Sequence, residues 1–218
     1  MGKGGVFINT IIIRDVEAGD IPSIKAIIGA TWDWLDIIEC KATLDAALGI
    51  YLNQVLHDST FGRVAVLNDK IVGVIFGSVD EAELKYKMLI ENSTIHALTL
   101  LGSSDADRKN IYEYLAKTMM VYKQLINGLE DNYDGTLDFL VLAKEAQGLG
   151  LGKNLWRELK AYFKENNAES IYLYSDTKCN FGFHERQGFI KRCEQEVVYN
   201  LTEEAVRINH FLYDLQLN

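Results

Sequence analysis

The sequence predicts a single α/β domain that spans residues 1–218. Runs of β-branched and aromatic residues, which favour strands, alternate along the chain with stretches whose apolar residues recur at helical spacing. A glycine-rich stretch joins the clearest strand pattern to an amphipathic helical pattern. The chain has one proline and no break in composition, so neither a linker nor a second domain is expected.

The first predicted elements are a strand and two helices. Thr10–Arg14 is a β-branched run and predicts a strand. A helix starts near Gly19 and Asp20, with Pro22 in its first turn, where proline is tolerated. Apolar residues at helical spacing predict a second helix over Ala42–His57.

An antiparallel hairpin is expected next. Arg63–Leu67 and Ile71–Val79 are two strand-like runs, and the dipeptide Asn68-Asp69 between them suits a tight turn. Both runs would then pair directly in the sheet.

The segment of residues 81–132 changes to a helical pattern. Ser104-Asp-Ala-Asp107 resembles a capping box, and it opens a helix that Gly128 closes. An apolar stripe runs along this helix. Its stretch MMVY, residues 119–122, is therefore expected to pack in the core rather than to bind a cofactor.

The C-terminal part of the chain alternates strands and helices. Thr136–Ala143 gives the clearest strand pattern, and the glycine-rich stretch and an amphipathic helix come directly after it. The remaining predicted elements are a strand, a short helix and two further strands: Ser170–Ser175, Cys179–Gln187, Phe189–Tyr199 and the C-terminal run HFLYDLQL.

Composition limits the classes of function. The chain carries 31 acidic and 22 basic residues, a poor balance for binding nucleic acid or an anionic membrane surface. No apolar run approaches the ~20 residues of a membrane span, and the N-terminus lacks a signal-peptide pattern. The three cysteines, Cys40, Cys179 and Cys193, suit a reducing compartment. We therefore expect a soluble cytoplasmic protein that binds neither nucleic acid nor membrane.

The glycine-rich stretch EAQGLGLGKNL, residues 145–155, predicts a phosphate site. Gly148, Gly150 and Gly152 precede the first turn of a helix, whose unpaired backbone N–H groups and positive dipole end favour an anion. Glycine lets a ligand approach those amides closely. The spacing fits neither a P-loop nor a dinucleotide fingerprint, which needs glycine where Lys153 stands. A strand-to-helix turn that needs glycine only for its own geometry is the alternative.

The stretch LVLAKEAQGLGLGKNL resembles the central motif of the GNAT superfamily of acyl-CoA-dependent N-acetyltransferases. That motif is a strand followed by Gln/Arg-x-x-Gly-x-Gly/Ala, which Gln147, Gly150 and Gly152 fill here. Four other stretches resemble, in the family's order, its first strand and helix, its second and third strands, its fifth strand with a short helix and Gly-Phe turn, and its last strand. They are IIIRDVEAGDIPSIKAII, GRVAVLNDKIVGVIFG, SIYLYSDTKCNFGFHERQGFIKR and FLYDLQL.

The resemblance implies the GNAT fold, a mixed and mainly antiparallel twisted sheet, splayed between strands 4 and 5, with flanking helices and here a helical insertion before strand 4. It implies acetyl-CoA (coenzyme A) as the cofactor and, as the partner, a primary amine of a small molecule or peptide that attacks the thioester directly. The cofactor-binding residues that it implies are Leu140, Leu142, Gln147, Gly148, Gly150, Gly152, Lys153, Asn180 and Phe183. A homodimer is the oligomeric state to test, because dimers are frequent among relatives. No metal is expected, since the histidines are scattered and HERQG departs from H-E-x-x-H.

His184 stands where many members of the family carry a tyrosine, four residues before the glycine of the Gly-Phe turn, here Gly188. In the family that tyrosine protonates the departing thiolate. A histidine, with an unperturbed pKa near ~6.5, can donate such a proton. The alternative is that His184 packs beside the cofactor or hydrogen-bonds it, while another group or water supplies the proton.

Asp138 is the candidate base. By the alternation of a strand, Thr136, Asp138, Leu140 and Leu142 are expected to share one face. If that face looks into the cleft, Asp138 can deprotonate the amine through water. The alternative is a solvated or salt-bridged aspartate.

The loop TWDWLD lies where relatives build their acceptor pocket. Trp32, Asp33 and Trp34 are candidates for an aromatic and acidic cage around a cationic amine. Ordinary core or surface aromatic residues are the alternative. The function predicted from all these features is N-acetyl transfer. The runner-up is a catalytically weak GNAT-fold protein that binds CoA as a sensor or interaction module, and an unrelated nucleotide-binding fold would follow if the loop binds ATP or NAD.

Overall fold

The computed structural model describes residues 10–32, 34–201 and 205–217, without the side chain of Leu35. The strands are β1 Ile11–Asp15, β2 Phe61–Leu67, β3 Lys70–Val79, β4 Gly135–Leu142, β5 Ser170–Asp176, β6 Ile190–Tyr199 and β7 Val206–Gln216. The helices are α1 Ile21–Thr31, α2 Trp34–Ile37, α3 Lys41–Asp58, α4 Ser93–Leu101, α5 Asp105–Ile126, α6 Leu151–Glu165 and α7 Phe181–Arg186.

All seven strands join one sheet in the order β1-β2-β3-β4-β5-β7-β6. Its first hairpin turns at Asn68 and Asp69, whose φ angles of 47° and 63° place both residues in the left-handed region that a tight hairpin turn requires. Among the described strands β4 and β5 form the one parallel pair, and the other neighbours are antiparallel. The mixed, mainly antiparallel sheet predicted from the sequence is confirmed.

Strands β4 and β5 run side by side only where they begin. In the described chain their pairing consists of Gly135 with Ile171 and Thr136 with Tyr172. Strand β4 nevertheless stays paired with β3 as far as Leu142. The edge of β4 that faces β5 is therefore open beyond Thr136, and the predicted splay between strands 4 and 5 is confirmed.

A β-bulge near the start of β4 redirects its side chains. Leu137 and Asp138 together oppose a single residue of β3, Gly77. Asp138 consequently points to the sheet face covered by α3, the face on which Phe139 is buried, while Leu140 packs on the opposite face. The expectation that Asp138 shares a face with Leu140 is wrong, because regular alternation breaks at the bulge.

Helices cover both faces of the sheet. Helix α6 packs against β2, β3 and β4 through an apolar stripe of Leu155, Trp156, Leu159 and Phe163. Helices α1 and α3 cover the other face of the same strands and bury a second apolar cluster there. None of the described helices is both long and apolar enough to cross a membrane.

The insertion before β4 contains α4 and α5, and α5 packs on β6 and β7. Val121 and Leu125 are buried in this contact, and Tyr122 packs against them. Met119 and Met120 are instead 56% and 61% exposed, because they point away from the sheet. The expected core packing of MMVY is therefore wrong for its two methionines.

Candidate functional site

The glycine loop lies between the open edge of β4 and helix α6. Gly148 and Gly150 both have a φ of 79°, a conformation that other residues adopt only with strain. A Cβ added at either position would have no protein atom within 4 Å. The loop therefore has open space beside Gly148 and Gly150, next to the first turn of α6.

The first turn of α6 supplies backbone donors to that space. The first hydrogen bond inside the helix reaches only as far as the N–H of Asn154, 3.1 Å from its acceptor. The N–H groups of Leu151, Gly152 and Lys153 therefore precede the helical ladder and are available to an anion. The side chains of Gln147 and Lys153 are exposed at the two ends of the loop.

Gly152 has a different role from the other two glycines. It is buried, and a Cβ there would lie 3.3 Å from Leu142 Cδ1 and 3.6 Å from the ring of Phe183. Its missing side chain lets α6 approach both β4 and α7. The argument from open space thus applies to Gly148 and Gly150, while Gly152 contributes an N–H group.

The open edge of β4 presents backbone groups of known direction. The N–H of Ala143 donates to the carbonyl oxygen of Val72 in β3 at 2.8 Å. Because bonding direction alternates along an antiparallel strand, the N–H and C=O groups of Leu140 and Leu142 point away from β3 and toward the splay. These are the backbone groups that the resemblance to the GNAT superfamily implies for cofactor binding.

Helix α7 begins beside the start of α6. The exposed Asn180 precedes α7, and its carbonyl oxygen accepts a hydrogen bond from Phe183 N–H at 2.9 Å. The ring of Phe183 packs beside Gly152. The structure therefore brings candidate cofactor residues of α6, α7 and β4 together at one end of the gap between β4 and β5.

His184 sits in an aromatic environment. The centroids of Phe183, Phe189 and Tyr213 lie 5.6, 5.9 and 6.5 Å from the centroid of its ring. Burial lowers the pKa of His184 to about 4, and its buried Nδ1 has no partner among the described residues. The imidazole is thus neutral at pH 7, which supports the packing or hydrogen-bonding alternative over proton donation by His184.

Among the described residues, two hydroxyl groups hold Asp138, and no salt bridge does. Ser78 Oγ donates to Asp138 Oδ1 and Ser59 Oγ donates to Asp138 Oδ2, each at 3.0 Å. Burial raises the pKa of Asp138 to about 7, outweighing the two hydrogen bonds that lower it, and the charge of Asp58 raises it further. A carboxylate that titrates near neutral pH is suited to take and release a proton.

The buried Ser59 adapts to both protonation states of Asp138. Its hydroxyl has one proton and two acceptors in reach, the carbonyl oxygen of Val55 at 2.7 Å and Asp138 Oδ2 at 3.0 Å. When Asp138 is ionised, Ser59 can donate to it. When Asp138 is protonated on Oδ2, it can donate to Ser59, which then donates to Val55. The network therefore offers hydrogen bonds to the base before and after it accepts a proton.

The two tryptophans of the predicted cage pack close to the bulge of β4. The Trp32 ring makes edge contacts with Phe139 and Tyr51 at centroid distances of 5.2 and 5.4 Å, and Trp34 lies 6.0 Å from Tyr51. Trp34 is only 2% exposed. Asp33, the third residue of the predicted cage, lies outside the described residues.

Three residues of the site were not predicted from the sequence. Ser59 and Ser78 reach Asp138 across 79 and 60 residues of sequence, and Tyr51 meets the tryptophans only through the packing of α3. No local pattern marks them. The only usable signal was the position of Tyr51 within a predicted helix.

Similarity to known proteins is consistent with this geometry. Residues 30–189 match the sequence model of the Acetyltransferase (GNAT) family. Comparison with curated proteins gave no significant match.

Solved structures share the fold at low identity. The N-acetyltransferase from Staphylococcus aureus Mu50 is 14% identical with a TM-score of 0.52, over 96% of this chain and 99% of that one. The protein yncA from Salmonella typhimurium, solved with its cofactor acetyl-CoA, is 15% identical with a TM-score of 0.53, over 96% and 95%. The ribosomal-protein-S18-alanine N-acetyltransferase from Escherichia coli is 13% identical with a TM-score of 0.53, over 96% and 95%.

Such identities establish the fold alone. The family match goes further, because it covers well over half of the chain and includes the glycine loop, the bulge of β4 and α7. The protein therefore belongs to the GNAT family of acetyltransferases.

Proposed function

We propose that the protein transfers an acetyl group from acetyl-CoA to a primary amine by direct attack of the amine on the thioester. The observation that carries this proposal is the open edge of β4. It has an anion-binding loop beyond one end and, near the other, the carboxylate of Asp138 with a pKa of about 7. This reaction requires phosphate binding at one end of a cleft and deprotonation of the amine at the other end.

The cofactor is held mainly by backbone groups. The loop amides and the first turn of α6 are placed to bind the phosphates, in the space that Gly148 and Gly150 leave free. The backbone of Leu140 and Leu142 is placed to pair with the amide groups of the pantetheine arm. When bound, acetyl-CoA supplies an activated acetyl carbonyl. These residues orient that carbonyl toward the acceptor side of β4.

Asp138 removes a proton from the acceptor. A primary amine is an ammonium ion at neutral pH and must lose one proton before it can attack. Asp138 accepts that proton, directly or through water, and later returns it to solvent. The new N–C bond replaces the C–S bond, and the second amine proton balances the thiolate that leaves as CoA–SH. The products are an N-acetyl amine, CoA and one released proton.

His184 acts in this scheme as a neutral hydrogen-bonding and packing residue. Its Nδ1, buried without a protein partner among the described residues, is free to meet a polar group of the cofactor. The thiolate is then protonated by the attacking nitrogen or by water. This assignment explains why the chain functions without the tyrosine that many relatives carry.

Calorimetric titration with acetyl-CoA, followed by thiol release with a panel of primary amines, tests the proposal. Micromolar binding and thiol release that depends on the amine are expected. Binding without turnover across small-molecule amines and peptide N-termini would favour the alternative, a CoA-binding sensor. A protein that binds neither acetyl-CoA nor CoA would contradict both functions.

A further inference from the structure

A continuous arc of aromatic rings spans the splay on the face covered by α1, α3 and α5. It leaves β4, passes through the residue after α1 and through α3, α2 and α5, continues through β6 and β7, and reaches β5 through a second ring of α5. Adjacent ring centroids are 4.1 to 6.0 Å apart. In order, this aromatic arc consists of Phe139, Trp32, Tyr51, Trp34, Tyr114, Tyr199, His210, Tyr122 and Tyr174.

Several rings of the aromatic arc line a deep space and not the outer surface. Tyr51, Tyr114 and Tyr122 each keep part of their surface accessible. Desolvation nevertheless raises the pKa of all three hydroxyl groups well above the ordinary value. Because the arc begins on β4 and ends on β5, these partly accessible rings border the splay between the two strands. The arc therefore encloses space beside the open edge of β4.

Two carboxylates border the same space. Asp138 precedes Phe139 of the arc, and Asp176 pairs with His210 of the arc between β5 and β7. Desolvation, Cys179, Asp138 and Asp176, in decreasing order, raise the pKa of Tyr51. Asp176 is 6% exposed, and its Oδ1 accepts hydrogen bonds from the N–H groups of Lys178 and Cys179 at 2.7 and 3.0 Å. Aromatic faces and buried carboxylates are both favourable surroundings for an ammonium group.

Two buried polar atoms on the aromatic arc have no hydrogen-bond partner among the described residues. Trp34 Nε1 and His210 Nδ1 are buried without a hydrogen bond from the described residues. Trp34 is 2% exposed and His210 0% exposed, so neither side chain is open to bulk water. The other ring nitrogen of His210 is already bound to Tyr199 Oη at 2.7 Å. Buried polar atoms without partners are uncommon in proteins and frequently mark a ligand or water site.

The insertion provides one wall of this space, and α5 is fixed near its N-terminus. Asp107 Oδ1 accepts a hydrogen bond from Glu39 N–H at 3.1 Å, and Asn110 Nδ2 donates to Ile37 O at 2.8 Å. Both contacts join α5 to the chain between α2 and α3. The helix therefore closes the acceptor side next to the tryptophans.

The middle of α5 is fixed to the end of β6. Lys117 Nζ donates to Val198 O at 2.8 Å, and Thr118 Oγ1 lies 3.0 Å from Tyr199 Oη. Helix α5 therefore lies across β6 and β7, so an extended acceptor that runs from Asp138 toward these strands would meet it. A peptide acceptor would have to displace it.

We propose that the acceptor of this enzyme is a small arylalkylamine, a primary amine carried on one flat aromatic group, and that Tyr114 of α5 contacts it. This inference rests on the proposed acetyl transfer and names the substrate class. The ring of the amine packs edge-to-face within the aromatic arc, and its ammonium group lies toward Asp138. A polyamine with three or more ammonium groups would bury more positive charge than Asp138 and Asp176 can neutralise, which is costly. An extended peptide meets the wall of α5.

A direct measurement of amine binding tests the substrate class independently of turnover. The CoA-loaded protein is titrated calorimetrically with phenethylamine, with 2-cyclohexylethylamine as the saturated control, with spermidine, and with a short peptide that begins with alanine. Phenethylamine is expected to bind at least tenfold more tightly than each of the others. Equal or tighter binding of spermidine or the peptide would overturn the substrate class, whether or not any amine is acetylated.

Matched variants of α5 test the proposed contact between Tyr114 and the amine. Tyr114→Leu is expected to weaken phenethylamine binding at least tenfold, and Tyr114→Phe to retain it, because the ring is what the site requires. Tyr112→Leu is the control on the same helix, since Tyr112 is 74% exposed. A thermal melt shows that each variant is folded. Unchanged affinity in a folded Tyr114→Leu variant would overturn the contact. Thiol release reports separately on the proposed function: acetyl-CoA binding without release would contradict acetyl transfer alone.

Discussion

The two sides of the open edge of β4 differ in the groups that form them, because one side uses backbone groups and the other uses side chains. On the proposed cofactor side the binding groups come from the backbone of the glycine loop, the first turn of α6 and two residues of β4. On the proposed acceptor side they come from side chains that the end of α1, the helices α2, α3 and α5, and five strands bring together. One side depends on conformation, the other on side-chain identity and tertiary packing.

This difference separates cofactor binding, the constant task, from acceptor binding, the variable task. Backbone amides recognise phosphates and pantetheine without specifying most of the side chains around them, so that half of the site tolerates substitution outside its glycines. The acceptor half changes its chemistry with each side chain. A family that keeps one cofactor and changes its acceptors is expected to divide its site in this way.

The substitution Asp138→Asn is the strongest test of this contrast between the cofactor side and the acceptor side. Removing the proposed base is expected to lower kcat by about 10²- to 10⁴-fold while acetyl-CoA binding stays within threefold. The wild-type kcat/KM is expected to rise with pH and level off above about 7, because Asp138 with its raised pKa acts when ionised. Stopped assays of thiol release between pH 5 and 9 measure both effects.

The control for that variant is Asp69→Asn on the exposed first hairpin, where asparagine suits the positive φ of 63°. It should match the wild type in kcat and in pH profile. An Asp138→Asn variant with unchanged kcat would show that solvent removes the amine proton.

The same substitution is expected to stabilise the fold at alkaline pH. Asp138 has a pKa of about 7 when folded, against about 3.9 in the unfolded chain, so the folded state binds more protons between those values. The free energy of unfolding therefore falls as pH rises through this window. Asparagine carries no charge and can still bond Ser59 and Ser78. Urea unfolding should show Asp138→Asn more stable than wild type by about 2 to 4 kcal/mol at pH 8, with a smaller difference at pH 5. An equal difference at both values would contradict the buried titration.

The same division explains what the sequence could predict. The glycine loop, the hairpin at Asn68-Asp69 and the order of the elements are local patterns, and the structure agrees with them. The acceptor side depends on contacts between residues far apart in the chain, such as Ser59 with Asp138. The bulge of β4 adds one residue without any proline or glycine at Leu137 or Asp138 to signal it. For that reason strand alternation placed Asp138 on the wrong face.

Substitution of a loop glycine tests the cofactor side. Gly148→Ala is expected to weaken acetyl-CoA binding about tenfold, or about 1.4 kcal/mol, because the added methyl group enters the phosphate space and strains a φ of 79°. Gly128→Ala is the matched control, with a φ of 80° and, as at Gly148, no atom within 4 Å of the added Cβ. Both variants should lose similar stability in thermal melts, and only the first should lose affinity by calorimetry. Equal affinity would mean that the loop glycines serve only the turn.

The smallest expected effect concerns His184, which lies on the cofactor side and acts through a side chain. With a pKa of about 4, its imidazole is protonated in only about one molecule in a thousand at pH 7, too few for an efficient general acid. His184→Gln, which keeps a polar group in the same aromatic setting, is expected to change kcat less than threefold at saturating acetyl-CoA. A loss of 100-fold or more, with acetyl-CoA affinity intact, would make His184 the proton donor. The cofactor side would then also depend on side-chain chemistry, and the contrast between the two sides would have to be redrawn at this residue.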